Sequence, residues 1–208
     1  MTGKHNQIAD TLIQGILTGH YHQSERLPSE RDLATRYDTS RGAVREAMKT
    51  LEQIGLIDVQ PGGARVKAIN EASLDVISHL LAQGEVPDLA LIDQIITVIN
   101  ELICMAAGES IELASDEELA HIRGLVRPMI EDTLSQEAHT LARFDVMAAI
   151  IKSSRNLPLR LILRTLFEQI VPAKTNLHPY VTIDIDRYRG LAKKLNSALK
   201  KRDADLLR

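Results

Sequence analysis

The stretch that decides the fold is "LPSERDLATRYDTSRGAVREAMKTLEQIGLIDVQPGGARV", Leu27 to Val66. Ser29 stands where a helix N-cap belongs, with Asp32 three residues later completing a capping-box pattern. The short helix it opens, "SERDLATRY", gives way to a turn, "DTS". Thr39 or Ser40 then caps a further helix running to about Ile54 and ended by Gly55. In that helix Val44, Ala47, Met48, Leu51 and Ile54 share one face. Arg41, Arg45 and Lys49, spaced by four, share another. Beyond Gly55 the period changes. "LIDVQ" and "ARVKAI" are short β-like runs separated by Pro61-Gly62-Gly63, and Ala64, Val66 and Ala68 alternate with Arg65 and Lys67. That is a hairpin signal with a glycine tip.

Working outward, "KHNQIADTLIQGILTGHY" places Ile8, Leu12 and Ile16 on one helical stripe, with Leu17 beside it and Gly19 as the stop. Three short helices and a hairpin make a winged helix-turn-helix over residues 1–70. After Glu71 no strand pair is convincing. "SLDVISHLLAQG" is a short helix, and "VPDLALIDQIITVINELICMAAGES" a long apolar one begun by Pro87-Asp88. "SDEELAHIRGLVRPMIEDTL" carries a Ser115 cap and first-turn acids that suit the helix dipole; Pro128 is expected to kink or split it. "QEAHTLARFDVMAAIIKSS" and "LPLRLILRTLFEQIV" follow. The last segment is amphipathic through Leu191, Leu195 and Leu199, and the chain stops at Arg208 inside it. The expected fold class is therefore mainly α. A winged helix-turn-helix, 1–70, precedes an all-α bundle of about six helices, 71–208, with the boundary near 69–73.

The 208 residues suit one large domain or two small ones. Apolar residues make up 44 % and aromatics 3 %, so Leu, Ile and Ala do most of the filling. No run approaches the roughly 18 apolar residues of a membrane span. The N-terminus lacks an apolar signal core, so a cytoplasmic protein is expected, with no membrane partner. Cys104 is the single cysteine, which excludes an internal disulfide; its apolar surroundings, "ELICMAA", predict a buried core thiol. The formal net charge is −3. Residues 1–70 hold nine Lys and Arg against eight Asp and Glu, a balance of +1, and residues 71–208 hold sixteen against twenty, a balance of −4. Any argument for nucleic acid must therefore come from position and not from total charge.

Position supplies it. A helix-turn-helix presents its second helix to the major groove, with base contacts mainly from that helix's N-terminal residues. Ser40, Arg41, Gly42 and Arg45 occupy that end. Arginine can donate two hydrogen bonds to guanine O6 and N7. Gly42 and Ala43 are small, which permits close approach. Ser29 and the free amides of its helix can hold a phosphate, with Arg31 and Arg36 as further contacts. The Gly62-Gly63 tip can pass close to the backbone or enter the minor groove. The competing possibility is a solvated face whose cations pair with Glu46, Glu52 or Asp38.

The same forty residues closely resemble the DNA-binding domain of the GntR family of bacterial transcription regulators. The resemblance rests on Leu27-Pro28-Ser29-Glu30-Arg31, Leu33-Ala34, Ser40-Arg41, Val44-Arg45-Glu46-Ala47, Leu51 and the Gly-Leu-Ile step at 55–57. It implies DNA contacts at Arg31, Ser40, Arg41, Gly42, Arg45 and Gly62. The helical C-terminal part looks like the subgroup named for the fatty-acid regulator FadR. That likeness implies a homodimer on a double-stranded, near-palindromic operator and a small-molecule effector: an organic, sugar or amino acid, or an acyl-CoA.

Many bundles of that subgroup hold a divalent metal through one Asp and three His. The corresponding stretch here is "ARFDVMAAIIKSSRNLP". Aligned on Asp145, the histidine position is Ala149; aligned on Ser154-Arg155-Asn156, the pair becomes Arg143 and Met147. The ligand of the final helix falls on Ala192. His79, His121, His139 and His178 lack ligand spacing, and each reads as a surface or satisfied core histidine. No cofactor or metal is therefore expected, and the effector pocket is read as metal-free, for an acyl-CoA, a fatty acid or another organic acid. The alternative is a metal-coordinated small carboxylate. Asn100, Arg143, Arg160 and Arg164 are the candidate effector contacts, the last two one turn apart on one face. An enzyme is not expected: there is no nucleophile elbow, phosphate-binding glycine loop or metal tetrad. A winged-helix protein-interaction module is the remaining alternative.

Overall fold

The computed structural model describes residues 3–84, 88–131, 134–170 and 184–207. It divides into two compact units, Met1–Asp88 and Leu89–Arg208.

The first unit is a winged helix-turn-helix. Its helices are α1 (Lys4–Leu17), α2 (Glu30–Arg36) and α3 (Arg41–Gln53), followed by strands β1 (Ile57–Gln60) and β2 (Gly63–Val66). The expected caps are present. The Ser29 hydroxyl accepts from the Asp32 amide at 3.2 Å and donates to its carboxylate at 2.6 Å. Ser40, and not Thr39, caps α3, accepting from the Ala43 amide at 3.2 Å. Each cap satisfies one of the amides that a helix start leaves unpaired. Gly55 takes φ +78°, the left-handed conformation that ends α3. β1 and β2 pair antiparallel, with Ile57 opposite Val66 and Gln60 opposite Gly63.

The apolar stripes meet in one core. Leu12 and Ile13 of α1, Leu33 of α2, Val44, Ala47 and Leu51 of α3, and Leu56 are all wholly buried. Residues 24–27 add a pairing that periodicity did not show. Leu27 donates to the Ala64 carbonyl, Val66 to Glu25, and Ser24 to Val66, so this segment lies along the free edge of β2. A covered edge offers no template for strand addition.

The first unit also extends further than the sequence boundary. A short 3-10 turn, Ile69–Glu71, leads into α4 (Val76–Leu81). Val76 belongs to the core of this unit and Leu80 packs against it. The Ser73 amide also donates to Ile54 O at 2.9 Å. The wing ends where the composition changes; the contacts continue through α4.

The second unit comprises, among the described residues, α5 (Leu89–Leu113), α6 (Asp116–Glu131), α7 (Gln136–Ser153), α8 (Leu157–Ile170) and α9 (Ile185–Lys201). α6 packs on α7 and α9, while α5 packs on α7 and α8. A reciprocal cap opens α6: Ser115 Oγ accepts from Glu118 N, and the Glu118 carboxylate accepts from Ser115 N. α6 runs through Pro128 and is not split. The buried face of α9 is Ala192, Ala198 and Leu199, and Leu191 lies outside it, 48 % exposed. α9 ends at Lys201, with Arg202 left-handed at φ 51°. The Arg202 guanidinium then reaches Ala114 O and Asp116 Oδ1, both at 2.8 Å, closing the end of α5.

Two expectations for α5 need correction. Cys104 is exposed. The buried residues of α5 are Ile92, Ile95, Ile99, Ala106, Ala107, Ser110 and Ile111, and the thiol falls beside that stripe. Desolvation first, and Glu101 second, hold its pKa above the usual thiol value, so it is exposed without being activated. The same helix does meet the length and apolarity of a membrane span, with a mean hydropathy of 1.7 in its best window. In this unit it packs as a bundle helix on α7 and α8.

Candidate functional site

α3 presents two faces. Val44, Ala47, Met48 and Leu51 are buried, whereas Arg41, Gly42, Arg45 and Lys49 are exposed. The cations differ in their partners. Arg45 makes a two-pronged bond to Glu30 at the start of α2, Nε to Oε1 at 3.1 Å and Nη2 to Oε2 at 2.9 Å. That bond is the largest cause of the lowered Glu30 pKa and of the raised Arg45 pKa. Its side chains are 61 % and 38 % exposed, so water competes for it and the guanidinium is cheap to redirect. Lys49 bonds Glu46 on its own helix at 2.8 Å. Arg41 has no ion pair or side-chain hydrogen bond among the described residues. The cations at the N-terminal half of α3 are thus exposed or loosely held, the state a groove-reading helix requires.

The flanking positions agree. Arg31 is exposed, 3.8 Å from Asp32. Arg36 is also exposed, but it is tied to the Tyr21 hydroxyl, to which its Nη1 donates at 3.1 Å. A Cβ at Gly42 would meet only Ser40 Oγ, at 3.7 Å, so this glycine is not demanded by packing. Gly62, at the wing tip, has φ +108°, and a Cβ there would meet nothing within 4 Å. Gly63, at φ +127°, would meet the Arg26 guanidinium at 2.7 Å. Arg26 therefore lies against the tip of the wing. Sequence reasoning missed both Glu30 as the Arg45 partner and Arg26. The pairing of residues 24–27 with β2 brings Arg26 there, and no local spacing signals it.

The second unit scatters the other candidates. Asn100 is exposed on α5. Arg160 and Arg164 are exposed along a groove of about 530 Å³ between α7 and α8, lined chiefly by Ala148, Ile151, Leu157, Leu161 and Phe167. Arg164 pairs with Glu168 at 2.7 Å, as an ordinary i,i+4 surface pair does. Arg143 sits elsewhere, half-buried, with its guanidinium 3.8 Å above the Tyr188 ring. His139 is not a surface or satisfied histidine. It is wholly buried, and neither ring nitrogen has a partner among the described residues. His121 is exposed and His79 half-buried, while His178 lies outside the described residues. Among the described residues no group of three or more His, Cys, Asp or Glu is placed to hold a metal ion.

Residues 4–66 match the family model described as bacterial regulatory proteins, gntR family. The N-terminal helix-turn-helix domain is thus of the GntR family. It is 28 % identical to the HTH-type transcriptional regulator Mce2R of Mycobacterium tuberculosis over 218 residues, covering 97 % of this chain and 87 % of that one. It is 29 % identical to the galactonate operon transcriptional repressor of Escherichia coli over 158 residues, 74 % of this chain and 68 % of that one. A solved Listeria monocytogenes structure, described as Lar, which controls expression of the agr system, superposes with a TM-score of 0.58 at 16 % identity. That match covers 100 % of this chain and 90 % of the other.

All six residues expected to meet DNA fall inside the GntR match. The GntR relatives are named as regulators of transcription and not as enzymes. Their similarity continues past the head into the helical unit, so the unit that carries Arg143 and His139 is shared in extent and not only appended.

Proposed function

We propose that this GntR-family chain works in the cytoplasm as a dimeric, ligand-responsive regulator of the FadR subgroup, reading a near-palindromic operator. The observation that carries it is the Ser40-capped helix, with Arg41 and Gly42 open at its start and Arg45 exposed one turn on. Arg41 and Arg45 contact bases or phosphates, Ser40 and Gly42 allow close approach, Arg31 holds a phosphate, and Gly62 brings the wing tip to the backbone. The dimer is supported by apolar side chains left at the surface of the second unit: Val98, Met105 and Leu113 on α5, and Leu157, Leu161 and Ile162 on α8. Two-fold symmetry in the protein then matches the inverted repeat in the DNA.

The second unit binds the effector without a metal, and the effector shifts the heads only if it favours one arrangement over the other. Selection of bound duplexes from a random pool tests the proposal. An inverted repeat whose half-sites lie about one helical turn apart supports it. Enrichment of no motif, from a chain that stays monomeric in light scattering, refutes it and favours a winged-helix protein-interaction module.

A further inference from the structure

Glu30 is the first residue of α2, and the Ser29 cap fixes the turn on which it stands. Its carboxylate meets Arg45 of α3 through both oxygens: Nε donates to Oε1 at 3.1 Å and Nη2 to Oε2 at 2.9 Å. Leu33 of α2 and Val44 of α3 lie wholly buried in the same core, so the two helices hold this spacing. The neighbouring acids are engaged elsewhere, Asp32 with Ser29 and Glu46 with Lys49. The Glu30 pKa is lowered, above all by the Arg45 bond and with a smaller part from the charge of Arg41, so the group is ionised at neutral pH. The bond is selective in which donors it uses. Nε and Nη2 form the side edge of the guanidinium. The outer edge, Nη1 with the second hydrogen of Nη2, has no partner among the described residues. That edge offers the parallel donors that guanine O6 and N7 accept. Arg45 can therefore read a base without leaving Glu30. An acid on a surface that approaches phosphates also needs a reason, because its charge opposes binding.

We propose that Glu30 is a positioning residue that sets base specificity: it holds the side edge of Arg45 while the outer edge reads a guanine. The inference rests on reading the head as a DNA-binding domain, and it names the residue behind the choice of base by Arg45. In the free protein both side chains are partly open to water and the pair is loose. Entry into a groove removes the competing water, and the bonds on both edges then strengthen together. The pairing acts in two ways. A side chain already tied on one edge loses less freedom when it meets DNA. It also cannot swing to a neighbouring phosphate without giving up charged hydrogen bonds, so a wrong base gains little from a substitute contact. Glu30 thus weakens affinity for the backbone and sharpens discrimination at one base pair.

The test compares the full chain with Glu30→Gln, Glu30→Asp, Arg45→Ala and the variant carrying both Glu30→Gln and Arg45→Ala. The probes are the duplex selected from the random pool, duplexes altered at one base pair in each half-site, and a duplex of unrelated sequence. The readout is the ratio of dissociation constants between duplexes, from which any partial loss of folded protein cancels. Glu30→Gln keeps the shape but breaks the paired bond; Glu30→Asp keeps the charge but draws it back by one carbon. Both should lower the preference at the base read by Arg45 by about 2- to 5-fold per head and leave other base positions alone. Only Glu30→Gln should tighten binding to the unrelated duplex, because only it removes the opposing charge. With Arg45→Ala already present, Glu30→Gln should alter no base preference. The proposal is overturned if Glu30→Gln keeps the parent's preference at every position. It is overturned equally if the loss persists without Arg45, for Glu30 would then meet a base itself, as a carboxylate can meet cytosine N4. A parent chain with no preference among duplexes would remove the regulator reading as well, whereas a clear parent preference untouched by Glu30→Gln removes this proposal alone.

Discussion

Arg45→Ala separates a reading arginine from a solvated one. In the free protein the side chain is 61 % exposed and its partner Glu30 lies at the surface. Alanine is the best helix former, and the core residues Val44, Ala47, Met48 and Leu51 lie on the other face of α3. The Ser40 cap involves Ala43 and not residue 45. Folding should therefore barely change. DNA binding should change a great deal, because a lost two-pronged guanine contact weakens binding about 5- to 150-fold per head. With two heads on a symmetric site the losses multiply, to between about 25-fold and about 20,000-fold. The assay is a fluorescence-anisotropy titration of the selected operator and of duplexes altered at one base pair in each half-site. The variant should weaken on the operator and lose its preference at one base position. Equal weakening on every duplex would make Arg45 a phosphate contact. Unchanged affinity and unchanged preference would refute the reasoning and leave Arg45 as a surface partner of Glu30.

Gly55→Ala should destabilise the head. The left-handed conformation costs about 1–2 kcal/mol for a residue with a Cβ, and that Cβ would meet Glu71 O at 3.0 Å and Ala72 Cα at 3.1 Å. Denaturant unfolding followed by circular dichroism reads the loss. Gly62→Ala also places a Cβ at positive φ and should cost backbone strain, but without the added clash of Gly55→Ala, because nothing lies within 4 Å; it should in addition weaken operator binding. The two glycines thus part in the operator titration, which Gly55 should affect only through stability. His139 should make stability pH-dependent. Its folded pKa lies below the ordinary 6.5, so the unfolded chain binds the proton more readily. Its neutral form is fully favourable above about pH 6.5 and is lost as pH falls below that value towards the folded pKa. His139→Phe should flatten that part of the melting-temperature profile.

The head was legible because its signals are local. Ser29, Ser40 and Gly55 punctuate the chain within three residues of what they cap or end, and the apolar stripe of α3 needs no partner to be seen. What the sequence hid is non-local. Glu30 meets Arg45 across fifteen residues, and residues 24–27 lie on β2 across about forty. Glu46 was a reasonable local partner for a cation, but it takes Lys49 and not Arg45. In the second unit the apolar residues run almost round α5, so periodicity could not say which face is buried, and Cys104 was placed on the wrong one. His139 shows the same limit. Its spacing offers no metal pair, but only three-dimensional packing reveals that its nitrogens are buried without partners among the described residues.

The most direct measurement is the salt dependence of duplex binding by the full chain. Arg31, Arg41 and Lys49 are exposed on the helix-turn-helix, and one phosphate contact from each makes three per head. Each phosphate neutralised contributes a slope of about −0.9 in log K against log salt. A dimer should therefore show a slope of about −5 on the selected operator, and Lys49→Ala should reduce it by about 2. A slope near zero, or no binding to any duplex at low salt, would contradict the assignment of this cationic helix to DNA.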